Sequence, residues 1–199
     1  MRLKKILAAV WLVLLASAVA ALFWYNELKY QLPTPVPVDY HQVAKGTLIR
    51  LPATAQGQGD RPLFLHFFNP DCPCSRFNIN MFKTLVKQYE GRINFKIVVM
   101  SKKPFTEQEI QQKFDIGIPV IFDQQVAIKC GVYSTPQAVV LDTHQRLFYR
   151  GNYNRSRYCT DERTNYARLA VDGALQQKNI KFDRYALTSY GCSLPDCKN

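Results

Sequence analysis

Residues 6–24, ILAAVWLVLLASAVAALFW, are nineteen consecutive residues without a charge. Backbone polar groups in hydrocarbon must find partners within their own segment, so a run of this length crosses a bilayer core of about 30 Å only as a helix. Arg2, Lys4 and Lys5 precede the run, and Trp24 and Tyr25 stand at its far edge. Basic residues hold the preceding end on the cytoplasmic side, and interfacial aromatics set the depth. The expectation is a single-pass protein: residues 1–30 as a signal anchor, membrane contact through residues 6–24, and an extracytoplasmic chain beyond, facing the periplasm from a bacterial inner membrane. Ala16-Ser17-Ala18 and Ala18-Val19-Ala20 also fit a small-residue cleavage site, which would make the segment a removable leader. Continuation of the apolar run through Leu22, Phe23 and Trp24 favours the anchor. Both readings export the rest of the chain.

Export governs how the six cysteines are read, because disulfides persist outside the cytoplasm and are rare within it. The number is even, and spacing alone does not decide the pairing. Lys and Arg number 26 against 15 Asp and Glu, a net charge of +11 that would suit nucleic acid or an anionic membrane. The densest basic cluster belongs to the anchor. The looser set Arg146, Arg150, Arg155, Arg157 and Arg163 comes with no nucleic-acid reader motif, so no nucleic-acid partner is expected.

Residues 31–60 read as a proline-rich spacer and loop, beginning QLPTPVPVDY, with Leu48, Ile49 and Leu51 as a short edge strand. Residues 61–199 form the folded domain. LFLHFF at 63–68 is a continuous apolar run, as a strand buried on both faces requires. Phe77, Met81, Phe82, Leu85, Val86 and Tyr89 recur at helical spacing, and Gly91 stops that helix. INFKIVVM at 93–100 is a second buried strand, so strand, helix and strand predict a right-handed parallel crossover. TEQEIQQKF at 106–114 is a helix opened by Thr106, and IPVIFD is another short strand. QAVVLD and RLFYRG flank the turn Thr143-His144-Gln145 as a hairpin, and Thr160 with Asp161 and Glu162 opens a last helix.

Between the first strand and its helix lies NPDCPCS. With Cys72 at the N-cap, Pro73 takes the first helical position, where its missing N–H is harmless. Free N–H groups and the positive end of the helix dipole then favour the Cys72 thiolate, which predicts a nucleophile near neutral pH. A bond from Cys72 to Cys74 would be strained and readily reduced. The competing structural reading bridges one or both to Cys130, Cys159, Cys192 or Cys197.

The order FF-N-P-D-C-P-C-S after a buried strand resembles the F-W-x-x-W-C-x-x-C region of thioredoxin-like proteins, with Ser75 in place of the second cysteine. GVYSTPQAVVLD at 131–142 resembles the Thr-Pro hallmark of that superfamily, and CPCS with the late GCSLP is similar to its membrane-anchored or exported thioredoxin- and peroxiredoxin-related members. The resemblance covers roughly residues 61–180 and implies an α/β fold of three layers, a mixed central sheet flanked by helices, preceded by the transmembrane helix. It implies Cys72 as the attacking cysteine and Pro136 as a cis-proline facing it, with Thr135 and Pro136 offering backbone groups to an extended substrate.

The leading expectation is an extracytoplasmic, membrane-anchored thiol–disulfide oxidoreductase in which Cys72 attacks and Cys74 or another cysteine resolves. Its partners would be protein thiols or disulfides and a membrane or exported electron-transfer protein. A peroxidase variant would draw on Arg76 and Ser75. Cys192 and Cys197 enclose SLPD and suit a tail staple; Cys130 and Cys159 suit a second staple, or resolution of Cys72. No cofactor is expected. An alternative is copper delivery, since Cys72 and Cys74 are soft ligands for Cu(I), though neither His41, His66 nor His144 is placed to complete the set. A further alternative is a binding domain that has lost the cycle.

Overall fold

The computed structural model describes residues 2–28, 32–156 and 158–194. Arg2–Leu28 is one α-helix, α1, and its Arg2–Tyr25 portion is long and apolar enough to cross a membrane, with none of its surface buried in the protein.

The remainder is built around five strands. β1 (Leu63–Phe68) leads through α2 (Pro73–Gln88) to β2 (Asn94–Val99), and the chain continues through α3 (Glu107–Phe114), β3 (Val120–Ile121) and α4 (Gln125–Cys130). After β4 (Ser134–Thr135) come the hairpin strands β5 (Gln137–Leu141) and β6 (Leu147–Gly151), then α5 (Tyr166–Leu175), α6 (Arg184–Leu187) and β7 (Cys192–Ser193). The main sheet has the order β3-β2-β1-β5-β6: β1 and β3 run parallel to β2, β5 is antiparallel to β1, and β6 to β5. With helices on both sides, this is the thioredoxin-like three-layer fold.

Alternation along β1 explains why its side chains are apolar at every position but His66, because successive side chains leave opposite faces and both faces are buried. Phe64 and Phe68 join Phe82, Leu85, Ile110, Ala170 and Val171 from α2, α3 and α5 in one cluster. Leu63, Leu65 and Phe67 join Val126 and Ala127 of α4 in the other. Both faces are covered, and the one polar side chain of β1, His66, is buried with its Nδ1 bonded to the Tyr153 hydroxyl.

The folded unit begins earlier than the expected boundary at residue 61. Ile49, Leu51 and Ala55 are core residues of the α4 face, and Leu48 makes an isolated antiparallel bridge to Arg146 in place of an edge strand. Thr34, within the proline-rich stretch, is buried and bonds the segment around Ser134 and Ser189. The last helix also differs: Glu162–Thr164 is a 3-10 turn, and α5 starts at Tyr166 because the Asn165 side chain accepts from the Arg168 N–H as its cap.

Candidate functional site

The NPDCPC turn is set by its own polar groups. Asn69 accepts the Asp71 N–H on its side chain and the Cys72 N–H on its carbonyl, while the Ser75 hydroxyl accepts the Asn69 N–H at 3.0 Å. Asp71 reaches Lys103 at 3.1 Å and Lys113 at 3.8 Å, and Lys113 donates to the Pro70 carbonyl. Cys72 is the N-cap of α2 with extended backbone, and Pro73 occupies the first turn. Ser75 is buried and engaged in the turn.

The second component arrives from the far end of the chain. Asn152 donates to the Tyr185 and Thr188 carbonyls, both at 2.6 Å, and thereby draws the 185–190 segment under the sheet end. Thr34 donates to the Gly191 carbonyl at 3.0 Å and lies 2.9 Å from the Ser134 hydroxyl. Gln137 bonds Ser189. Held this way, β7 pairs antiparallel with β4, Thr135 opposite Cys192 and Ser134 opposite Ser193. The Thr135–Pro136 peptide is cis.

These elements converge on sulfur. Cys72 is bonded to Cys192 across 120 residues of sequence, and Cys74 Sγ lies 3.2 Å from Cys192 Sγ. The three sulfurs lie within 4.8 Å of one another, and all three residues are buried. A cavity of about 510 Å³ opens beside them, walled by Cys74, Pro136, Tyr153, Arg155, Tyr185 and Tyr190 among others. Cys72, the expected attacking cysteine, has no exposed surface, and the sulfur-bearing residue on the cavity wall is Cys74.

Other expectations are corrected too. Cys192 is not left for a tail staple, since its sulfur is bonded to Cys72; Cys197 lies outside the described residues, as does Arg157. Cys130 and Cys159 are unbridged and lie on opposite faces of the sheet, Cys130 in the α4 cluster and Cys159 against the α2–α5 cluster. Burial pushes each thiol up to about 12, and Cys159 donates to Asn78 at 2.8 Å. Pro136 stands at the cavity, but the backbone edge of Thr135 that was assigned to a substrate is occupied by Cys192. His66 is sealed in the sheet against Tyr153. The bridge from Cys72 to Cys192 is one of the four that the competing structural reading allowed, and a separation of 120 residues carries no distance by which the sequence could have chosen it.

A family model described as "Domain of unknown function (DUF6436)" matches residues 40–194. No curated protein matches the chain. Among solved structures, a hypothetical protein from Sinorhizobium meliloti 1021 aligns with a TM-score of 0.63 at 20% identity, covering 78% of this chain and 96% of that one. An uncharacterized conserved protein from Geobacillus kaustophilus aligns with a TM-score of 0.63 at 18% identity, covering 81% and 97%. A thiol:disulfide interchange protein of the thioredoxin family from Chlorobium tepidum TLS aligns at 0.46 and 17% identity, covering 58% and 81%.

Proposed function

Since the chain belongs to the DUF6436 domain family and folds as a thioredoxin-like domain, we propose that it is a membrane-anchored, extracytoplasmic thiol–disulfide oxidoreductase working through Cys72, Cys74 and Cys192. The observation that carries this reading is the Cys74 sulfur 3.2 Å from a sulfur of the Cys72–Cys192 disulfide, with Cys74 on the wall of an open cavity. Thiol–disulfide exchange needs a thiolate against one sulfur of a disulfide and a leaving thiolate that is stabilised.

The position of the first sulfur is in place, Cys74 lying beside the disulfide, and the helix start supports the second condition. Cys74 attacks Cys192, the Cys74–Cys192 bond forms, and Cys72 leaves as a thiolate at the start of α2, where the helix dipole favours the anion. This step moves no net electrons. A thiolate of a substrate protein then attacks Cys74 from the cavity and displaces the Cys192 thiolate, giving a mixed disulfide. A second substrate thiol attacks its own sulfur in that bond and releases Cys74. Two electrons have passed from substrate to the Cys72 and Cys192 pair, which takes up two protons as thiols. Run backwards, the same steps reduce a substrate disulfide, so a membrane or exported electron-transfer partner sets the direction.

In this reading α1 is the anchor, with Arg2, Lys4 and Lys5 keeping its start on the cytoplasmic side and the folded domain outside. Pro136 walls the entry to the cavity. Thr135 presents its backbone to Cys192, which stands where an extended substrate would otherwise add as a strand.

The test uses full-length protein in detergent, oxidised, with a reduced unfolded protein as electron donor. Wild type should consume donor thiols, and Cys74→Ser should slow this on the order of 10³-fold or more, as loss of a nucleophile does. Cys192→Ser should abolish electron uptake by this route, because both the Cys72–Cys192 and the Cys74–Cys192 bonds need that sulfur. An unchanged rate in Cys74→Ser would overturn the assignment.

A further inference from the structure

We infer that the reduced protein binds one monovalent copper ion between Cys72, Cys74 and Cys192. The starting observation is geometric: three cysteine sulfurs from two distant segments lie within 4.8 Å of one another, and all three residues are buried. A trigonal metal with thiolate bonds of about 2.3 Å places its sulfurs about 4 Å apart. Opening the Cys72–Cys192 bond frees all three sulfurs to adjust towards that spacing.

Donor type and donor number both select the ion. Thiolates are soft and suit Cu(I), whereas structural zinc is held by four ligands in a tetrahedron. Among the described residues, no histidine, carboxylate or further cysteine joins this group. Cys130 and Cys159 are held elsewhere, and His66 is engaged with Tyr153. Three soft thiolates in a buried site match three-coordinate Cu(I), and none of the described residues supplies the fourth ligand of a structural Zn(II) site.

The charge is also provided for. Three thiolates and Cu(I) carry two net negative charges, and Cys72 is the N-cap of the sixteen-residue helix α2, at the positive end of its dipole. Arg155 walls the adjoining cavity. A dithiol reductant delivers two electrons and two protons to the Cys72–Cys192 disulfide and leaves as a disulfide; Cu(I) then binds as the three thiols release their protons. The metal and the disulfide occupy the same sulfurs, so each state excludes the other.

The experiment takes full-length protein in detergent without oxygen and titrates Cu(I) alone against a colorimetric Cu(I) chelator, on reduced and oxidised samples. Reduced wild type should take up one Cu(I) per chain, with three sulfur neighbours by X-ray absorption; oxidised wild type should take up none. Outer-shell partners alone change metal affinity by about 10–100-fold, so Cys74→Ser and Cys192→Ser should each lose more than about 100-fold. Cys130→Ser and Cys159→Ser should match wild type. Equal uptake by oxidised protein, undiminished affinity in Cys192→Ser, or Zn(II) displacing Cu(I) at the same stoichiometry would each overturn the site. Because the comparison of reduced with oxidised wild type needs no variant, a folding defect in Cys192→Ser does not cloud the result. Metal-free exchange assays report on the oxidoreductase reading separately.

Discussion

His66 stands inside β1 with no exposed surface, its ring stacked 4.4 Å from Phe82 and its Nδ1 2.5 Å from the Tyr153 hydroxyl. Among the described residues its Nε2 has no partner. Burial pulls its pKa from 6.5 down to about 3, because a charged imidazolium has no solvent there. The unfolded chain therefore takes up this proton first as pH falls. The stability linked to His66 is complete above the unfolded value of 6.5 and declines as pH drops towards the folded value of about 3. The slope approaches about 1.4 kcal/mol per pH unit. Urea unfolding at several pH values between 7 and 4 should show a steeper loss for wild type than for His66→Phe. Identical slopes would refute the account. The sequence placed His66 in a buried strand correctly, but its partner Tyr153 lies 87 residues away and could not be read from spacing.

Elements were legible wherever local chemistry and periodicity agreed. α3 is the clearest instance: the Thr106 side chain accepts the Glu109 N–H, Glu109 reaches back to the Thr106 N–H, and the helix starts where TEQE said it should. Thr106→Ala removes one half of that box and should cost about 1 kcal/mol, read as a lower urea midpoint with an unchanged slope. β7 lies at the other extreme, two residues long, with no pattern a strand would need. It exists because β4 offers it an edge and because Gly191 precedes it. A Cβ at Gly191 would run into the Thr135 carbonyl oxygen, which is backbone and has little room to yield. Gly191→Ala should therefore shift β7 away from β4 and lower the fraction of Cys72–Cys192 disulfide in a glutathione redox titration followed by mass spectrometry. Wild-type occupancy in that variant would show the pairing to be dispensable.

At the scale of the whole molecule, α1 stands apart from the packed domain, its apolar side chains exposed along its length. Its twenty-four-residue portion Arg2–Tyr25 reaches about 36 Å, enough for the hydrocarbon core with some tilt. Full-length protein should float with lipid vesicles, and a chain beginning at residue 32 should stay in the soluble fraction; flotation of the shortened chain would remove the anchor from the account. The sequence by itself determined this segment, the sheet buried on both faces and the cysteine at a helix start, because each depends on neighbours within a few residues. Only the tertiary structure decided which cysteine faces the cavity, which sulfur Cys72 holds, and that residues 34–55 belong to the folded unit. Those outcomes depend on contacts between segments as much as 157 residues apart, and spacing along a chain says nothing about distance once the chain has folded back on itself.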